Sequence, residues 1–562
     1  METQNTSVAD SSTKLDLLSA LSRLANLSIG HKSMGQLYES NLFSDRDNLA
    51  VAGALSLIKS GQVHGGNIPR ILSLSRFSAV RNAAYDYFFN QHEHGLTKQV
   101  LDVPLASTEG EGHISAEILA ARHVQDNVRL AGLFGRMFRE TGDQRQLVLQ
   151  RISLENHGGW QLALDTIVDQ ILIDPDNGIN AFNLSQALFN ANEIELLEYL
   201  LKLFSEVKVF LQVQLIFRAR LDVAAGKPAE ALKMLDKVSI QVLPETIRHE
   251  VFHLRGEILE KLDRCKEAYK AFCAQNTGLR QKDFVQEKYF DRMRFINALP
   301  VFELEADMNA NAFIMLGFPR SGTTLLEKAL NAHPEIETFE EIGALSSMTM
   351  MTNNVRAGHA QWTTKPAMAA RRRYYDELAH HRKKPEARVL IDKLPIMSVY
   401  APFLKGIFPE KKFIFSIRDP RDVVLSCFKQ AFKPNAAMDN LTNFAEACRA
   451  YDFVMTQWFR ARQYPDPQVC YVRYEDVVTD FQETLTRVLQ FTGLEWAEDV
   501  NNFAEKTQQA RVKTPSYQKV RSGLSIGVQS SWQKYDFLFT GKDAEPLRKW
   551  IEFWGYAWSS GN

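Results

Sequence analysis

Two observations predict an all-α, repeat-built N-terminal region followed by an α/β C-terminal domain with a parallel sheet flanked by helices. The first is a change in the spacing of apolar residues. Up to about residue 305 they recur at helical intervals, whereas from Phe313 onward short apolar runs of strand type alternate with helical stretches. The second is an internal repeat. Trp160-Gln161-Leu162-Ala163-Leu164, Ile194-Glu195-Leu196-Leu197-Glu198 and Ala229-Glu230-Ala231-Leu232 open equivalent helices, and positions 163, 197 and 231 are 34 residues apart each time. At 562 residues the chain is too long for one core, so several domains are expected.

Composition narrows the function classes. A net charge of −1 gives no case for nucleic-acid or membrane binding by bulk attraction. The five cysteines are odd in number and unpatterned, which points to neither a disulfide framework nor a metal site and favours a reducing, cytoplasmic compartment. No apolar run reaches the roughly 20 residues a membrane-spanning helix needs.

In chain order, residues 1–13 are polar and read as a disordered leader. Leu17, Leu18, Leu21, Leu24 and Ala25 then open a helical region that runs to residue 114. Residues 115–275 carry the repeats, with a fourth unit at Lys266-Glu267-Ala268-Tyr269, and their helix–turn–helix period resembles the tetratricopeptide repeat. Stacked units of that kind present a concave surface, so the region is expected either to take a protein partner or a second copy, or to serve as a rigid scaffold. Residues 276–305 read as a charged helical connector, and 306–558 as the α/β domain.

Strand ends carry the chemistry in open α/β sheets. Phe313-Ile314-Met315-Leu316 is followed by Gly317-Phe318-Pro319-Arg320-Ser321-Gly322-Thr323-Thr324 and then by a helix former run. Such a strand–loop–helix presents backbone N–H groups and a helix dipole to an anion, most often a phosphate. The spacing is that of a Walker A loop, but Thr323 stands where the lysine of an ATPase would be and Arg320 supplies a cation inside the loop. A second strand, Val389-Leu390-Ile391, ends in Asp392-Lys393, and a third, Phe413 to Ile417, ends in Arg418-Asp419-Pro420-Arg421-Asp422, with Ser426 two turns into the next helix. Cations at adjacent strand ends point to a ligand with more than one anionic group.

The first loop looks like the 5′-phosphosulfate loop of sulfotransferases, and Arg418 to Ser426 looks like their 3′-phosphate motif; within that superfamily the chain is similar to tyrosylprotein sulfotransferases and to bacterial proteins that fuse tetratricopeptide repeats to such a domain. The resemblance implies 3′-phosphoadenosine 5′-phosphosulfate (PAPS) as co-substrate, no metal, and a hydroxyl-bearing acceptor: peptide tyrosine, carbohydrate or small molecule. It implies that Arg320, Ser321, Gly322, Thr323 and Thr324 hold the phosphosulfate, that Arg418 and Ser426 hold the 3′-phosphate with Arg521 near it, and that Tyr474 contacts the adenine. Glu341, the second member of Glu340-Glu341, matches the general base, and Lys393 matches the lysine on the bridging oxygen. Two alternatives stay open: a repeat scaffold whose nucleotide domain binds PAPS or its product 3′-phosphoadenosine 5′-phosphate (PAP) without turnover, and a P-loop kinase or NTPase.

Overall fold

The computed structural model describes residues 127–158, 178–190, 192–204, 210–305, 311–432, 434–501 and 530–558, together with scattered positions elsewhere. The chain divides into two compact units, Met1–Ile247 and Arg248–Asn562.

The described part of the first unit is helical. Helices α1 (Asn127–Thr141) and α2 (Gln144–Gly158) are followed by α3 (Gly178–Asn190), α4 (Ile194–Phe204), α5 (Leu211–Ala224) and α6 (Pro228–Leu235). Helix α6 starts with proline at its first position, where the missing N–H costs nothing. Apolar residues one and three or four positions apart line its inner face, so Ala231, Leu232 and Leu235 are buried. Trp160 to Leu164, the first repeat segment singled out in the sequence, lies outside the described residues.

Helix α7 (Glu245–Lys261), whose first three residues belong to the first unit, and α8 (Cys265–Leu279) form a helix pair whose close approach depends on Gly256. A Cβ there would lie 2.4 Å from a ring carbon of Phe272. Helix α9 (Gln286–Asn297) follows, then the α/β domain. Five parallel strands, β1 (Ala312–Gly317), β2 (Ile336–Glu340), β3 (Val389–Lys393), β4 (Phe413–Ile417) and β5 (Val469–Arg473), lie in the order β2-β3-β1-β4-β5. Every residue of β1 is buried, as expected for the central strand of a sheet covered on both faces. One face packs Phe313, Met315, Val389, Ile391 and Ile414 against Leu325, Leu326, Ala329 and Leu330 of α10 (Thr323–Asn331).

Strand β2 is an element the apolar runs do not announce, because Ile336-Glu337-Thr338-Phe339-Glu340 alternates with charge. A short 3-10 turn, Met438–Leu441, precedes the helix Phe444–Ala461, and Asn443 caps that helix by accepting from the Glu446 N–H.

The helix pair α7–α8 and helix α9 are tied to the α/β domain by polar contacts as well as by rings. Asn276 donates to the Phe428 carbonyl (2.8 Å) in α11 (Pro420–Lys429), the helix that follows β4. Arg280 pairs with Glu446 (2.6 Å), and Gln286 donates to the Glu446 carbonyl. Phe290 stacks on Phe453 at 4.2 Å between centroids.

Candidate active site

Strand β1 sits at the centre of the sheet, with β3 on one side and β4 on the other, so the chain leaves neighbouring strands in opposite directions at this point. That divergence opens a crevice at the carboxyl ends of the strands, the usual ligand position in such sheets. The three strand ends singled out in the sequence all converge here.

The loop after β1 is held by its neighbours. Ser398 Oγ accepts from the Gly317 N–H (3.0 Å), and Cys427 Sγ donates to the Pro319 carbonyl (3.2 Å). Two residues of the loop take left-handed backbone: Arg320 (φ +72°) and Gly322 (φ +90°). A Cβ on Gly322 would lie 2.4 Å from Cδ2 of Tyr474, so the ring of Tyr474 occupies the space that only a glycine leaves. Thr323 and Thr324 open α10, and both are buried. Their N–H groups belong to the first turn, which has no intrahelical acceptors.

Arg320 reaches across to α11, donating from Nε to Ser426 Oγ (3.1 Å), so the loop and the Arg418–Ser426 segment meet directly. Arg418 donates to the Arg320 carbonyl (3.4 Å) and lies over the Tyr474 ring, its Cζ 4.5 Å from the centroid. Burial lowers the Arg320 pKa, and the nearby Arg418 charge adds to that effect. Arg418 Nε is buried with no hydrogen-bond partner among the described residues. Two adjacent guanidiniums with an orphaned donor, a helix N-terminus and the Tyr474 ring are the chemistry that a nucleotide with separate phosphate groups would satisfy.

Beside this cradle lies a charged cluster. Lys393, fully buried at the end of β3, has Nζ 2.9 Å from Glu341, 3.6 Å from Glu340 and 3.7 Å from Glu327. Lys328 pairs with Glu327 (3.0 Å) and Glu340 (3.1 Å). Burial opposes the Lys328 charge, but Glu327 and Glu340 together outweigh it and raise its pKa. Glu341 is the outward member, with 43% of its side chain exposed, and its backbone is left-handed (φ +53°). Its N–H donates to the Lys393 carbonyl (3.0 Å). Of the four non-glycine residues with positive φ among those described, two are therefore Arg320 and Glu341. Strained backbone of this kind persists where the surrounding structure holds it.

His333, which invites comparison as a base, is committed elsewhere. Its Nδ1 accepts from the Glu335 N–H (3.1 Å) and its Nε2 lies 3.1 Å from the Glu495 carbonyl. Arg521 lies outside the described residues. Glu327, Lys328 and Ser398 are site residues that the sequence reading missed. The sequence signal for the first two was a charged pair, Glu327-Lys328, between the apolar Leu325-Leu326 and Ala329-Leu330.

Residues 312–498 match the model of the sulfotransferase family. Among curated proteins, protein-tyrosine sulfotransferase 2 of Gallus gallus is 28% identical over 202 residues, covering 34% of this chain and 53% of that protein. Protein-tyrosine sulfotransferase 1 of Danio rerio is 28% identical over 248 residues, covering 42% of this chain and 64% of that protein. The chain thus spans less than two thirds of the length of these relatives. Among solved structures, the sulfotransferase domain from the Synechococcus PCC 7002 olefin synthase aligns at 20% identity with a TM-score of 0.28, covering 42% of this chain and 98% of that domain. Among the described residues, no helix is long and apolar enough to cross a membrane, and no group of three or more His, Cys, Asp or Glu side chains is disposed to hold a metal.

Proposed function

We propose that residues 306–558 form a PAPS-dependent sulfotransferase that moves a sulfuryl group to a hydroxyl acceptor, with peptide tyrosine the favoured class. The observation that carries this reading is the contact of Glu341 with Lys393 beside a phosphate loop that lacks the Walker lysine. In the proposed reaction the acceptor oxygen forms the new S–O bond and its proton passes to the Glu341 carboxylate. The S–O bond to the nucleotide 5′-phosphate breaks, and its electron pair stays on that phosphate oxygen, where the Lys393 ammonium offsets the developing charge. Arg320 and the residues Ser321 to Thr324 hold the phosphosulfate. Arg418 and Ser426, with Arg521, bind the 3′-phosphate, and Tyr474 contacts the adenine. The tyrosine preference is supported by the names of the relatives and by the Glu base. The helical repeats over 115–275 are proposed to hold a protein partner, a second copy or the acceptor.

The test uses the purified full chain, ³⁵S-labelled PAPS and a panel of tyrosine peptides, sugars and phenols, with EDTA present. Label transfer that survives EDTA and falls by about 10²–10⁴ in Glu341→Gln is expected, the usual range for a general base. Tight PAP binding with no transfer to any acceptor supports a nucleotide-binding scaffold instead, and Mg²⁺-dependent ATP turnover supports a P-loop NTPase.

A further inference from the structure

We infer that Glu327, on the phosphate-loop helix, is a positioning residue for the transfer: it keeps the Lys393 ammonium in place when Glu341 turns to the acceptor. This rests on the transferase reading above, and it adds a residue that neither sequence motif contains.

The need for such a residue follows from burial. Lys393 is fully buried, and a buried ammonium that loses its counter-ion is strongly destabilised. Its nearest partner, Glu341 at 2.9 Å, is also the base, and Glu341 is the exposed member of the cluster. A carboxylate that accepts the proton of an incoming hydroxyl becomes neutral, so during turnover Glu341 stops serving as a counter-ion. The charge developing on the nucleotide's phosphate oxygen then draws Lys393 from its outer side, so its position is fixed by carboxylates on its buried side.

Two carboxylates stand there, Glu340 at 3.6 Å and Glu327 at 3.7 Å. Glu327 is the more constrained. It is 1% exposed, and its Oε1 receives the Thr338 hydroxyl (2.9 Å) and the Lys328 ammonium (3.0 Å). These contacts fix the side chain and leave Oε2, which has no hydrogen bond among the described residues, on the side of Lys393. Glu327 also lies on α10, seven residues after Arg320, so its position moves with the loop that holds the phosphosulfate. The ammonium on the leaving oxygen and the loop on the same group are thereby set by one helix. Lys328 offsets the extra negative charge that a second and third carboxylate bring into a buried site.

A residue acting only on the position of Lys393 should lower turnover without loosening the nucleotide. In full-length Glu327→Gln, kcat for ³⁵S transfer to the acceptor used by the wild type should fall by about tenfold or more, while the PAPS KM and the PAP Kd from calorimetry stay within about threefold. Glu327→Asp, which restores the charge, should recover part of the lost kcat. Should Glu327→Gln fail to fold, Thr338→Val decides: it removes the hydroxyl that orients Glu327, and a lowered kcat with unchanged PAP Kd is again expected. Wild-type kcat in Glu327→Gln, or loss of PAP binding in step with kcat, overturns the assignment. A wild-type protein that transfers label to none of the acceptors overturns the transferase reading and this role with it, and that result is read from the wild type alone.

Discussion

Asp392 offers a measurement of how much burial the sheet imposes next to the site. It precedes Lys393 in β3 and points to the opposite face, where it is 1% exposed and neither carboxylate oxygen has a hydrogen-bond partner among the described residues. Burial pushes its pKa from 3.8 up to about 7; the Lys393 charge pulls it down and Glu377 pushes it further up. Because the folded pKa is raised, the folded chain binds the proton more tightly than the unfolded chain does. Stability is then undiminished below the unfolded pKa, declines as pH rises between the two values, and carries the whole cost above the folded one. A shift of that size corresponds to about 4 kcal/mol. Replacing Asp392 by Asn keeps the shape and removes the titration. The stability difference between Asp392→Asn and the wild type should therefore grow in favour of Asn by about 2–3 kcal/mol between about pH 5 and about pH 8.5. Urea unfolding followed by tryptophan emission is suited to this, since all tryptophans but Trp160 lie in the second unit. A difference that stays constant across this pH range would refute the argument.

Two further outcomes test the nucleotide cradle. Arg418→Ala removes a charged hydrogen-bond donor and should weaken PAP binding by roughly ten- to a hundredfold in calorimetry, with little change in the melting temperature. Gly322→Ala places a methyl against the Tyr474 ring at a left-handed position, so PAP affinity should fall and the melting temperature drop with it, by an amount equivalent to about 1–3 kcal/mol; differential scanning calorimetry reads both effects with and without PAP.

Four of the five strands could be read from the sequence because β1, β3, β4 and β5 are each a short, mostly apolar and mostly buried run, and that pattern is local. Strand β2 could not, because its acids are satisfied only by distant partners. Glu337 is buried and accepts from the Lys383 N–H (2.6 Å) beside Arg382, while Glu340 joins the lysine cluster. From the sequence alone, a solvated helix start is a second reading of Glu340 and Glu341 beside that of a general base. Glu327 was hidden for the same reason. An acid one residue before a lysine in a helix is ordinarily a surface feature, and nothing nearby in the chain says that this one is buried.

The sequence by itself determined the loop at Gly317 to Thr324, the cations at the following strand ends and the order in which they come. These depend on backbone preferences and apolar runs within a few residues. Only the tertiary structure decided which charge meets which. Parallel pairing of β1 with β3, and of β3 with β2, sets Lys393 opposite Glu340 and within reach of Glu341 and Glu327. Pairing of β1 with β4 brings Arg320 to Ser426. Ion pairs between segments far apart in the chain follow from strand order and register, and those are settled by how the apolar faces pack rather than by any one motif.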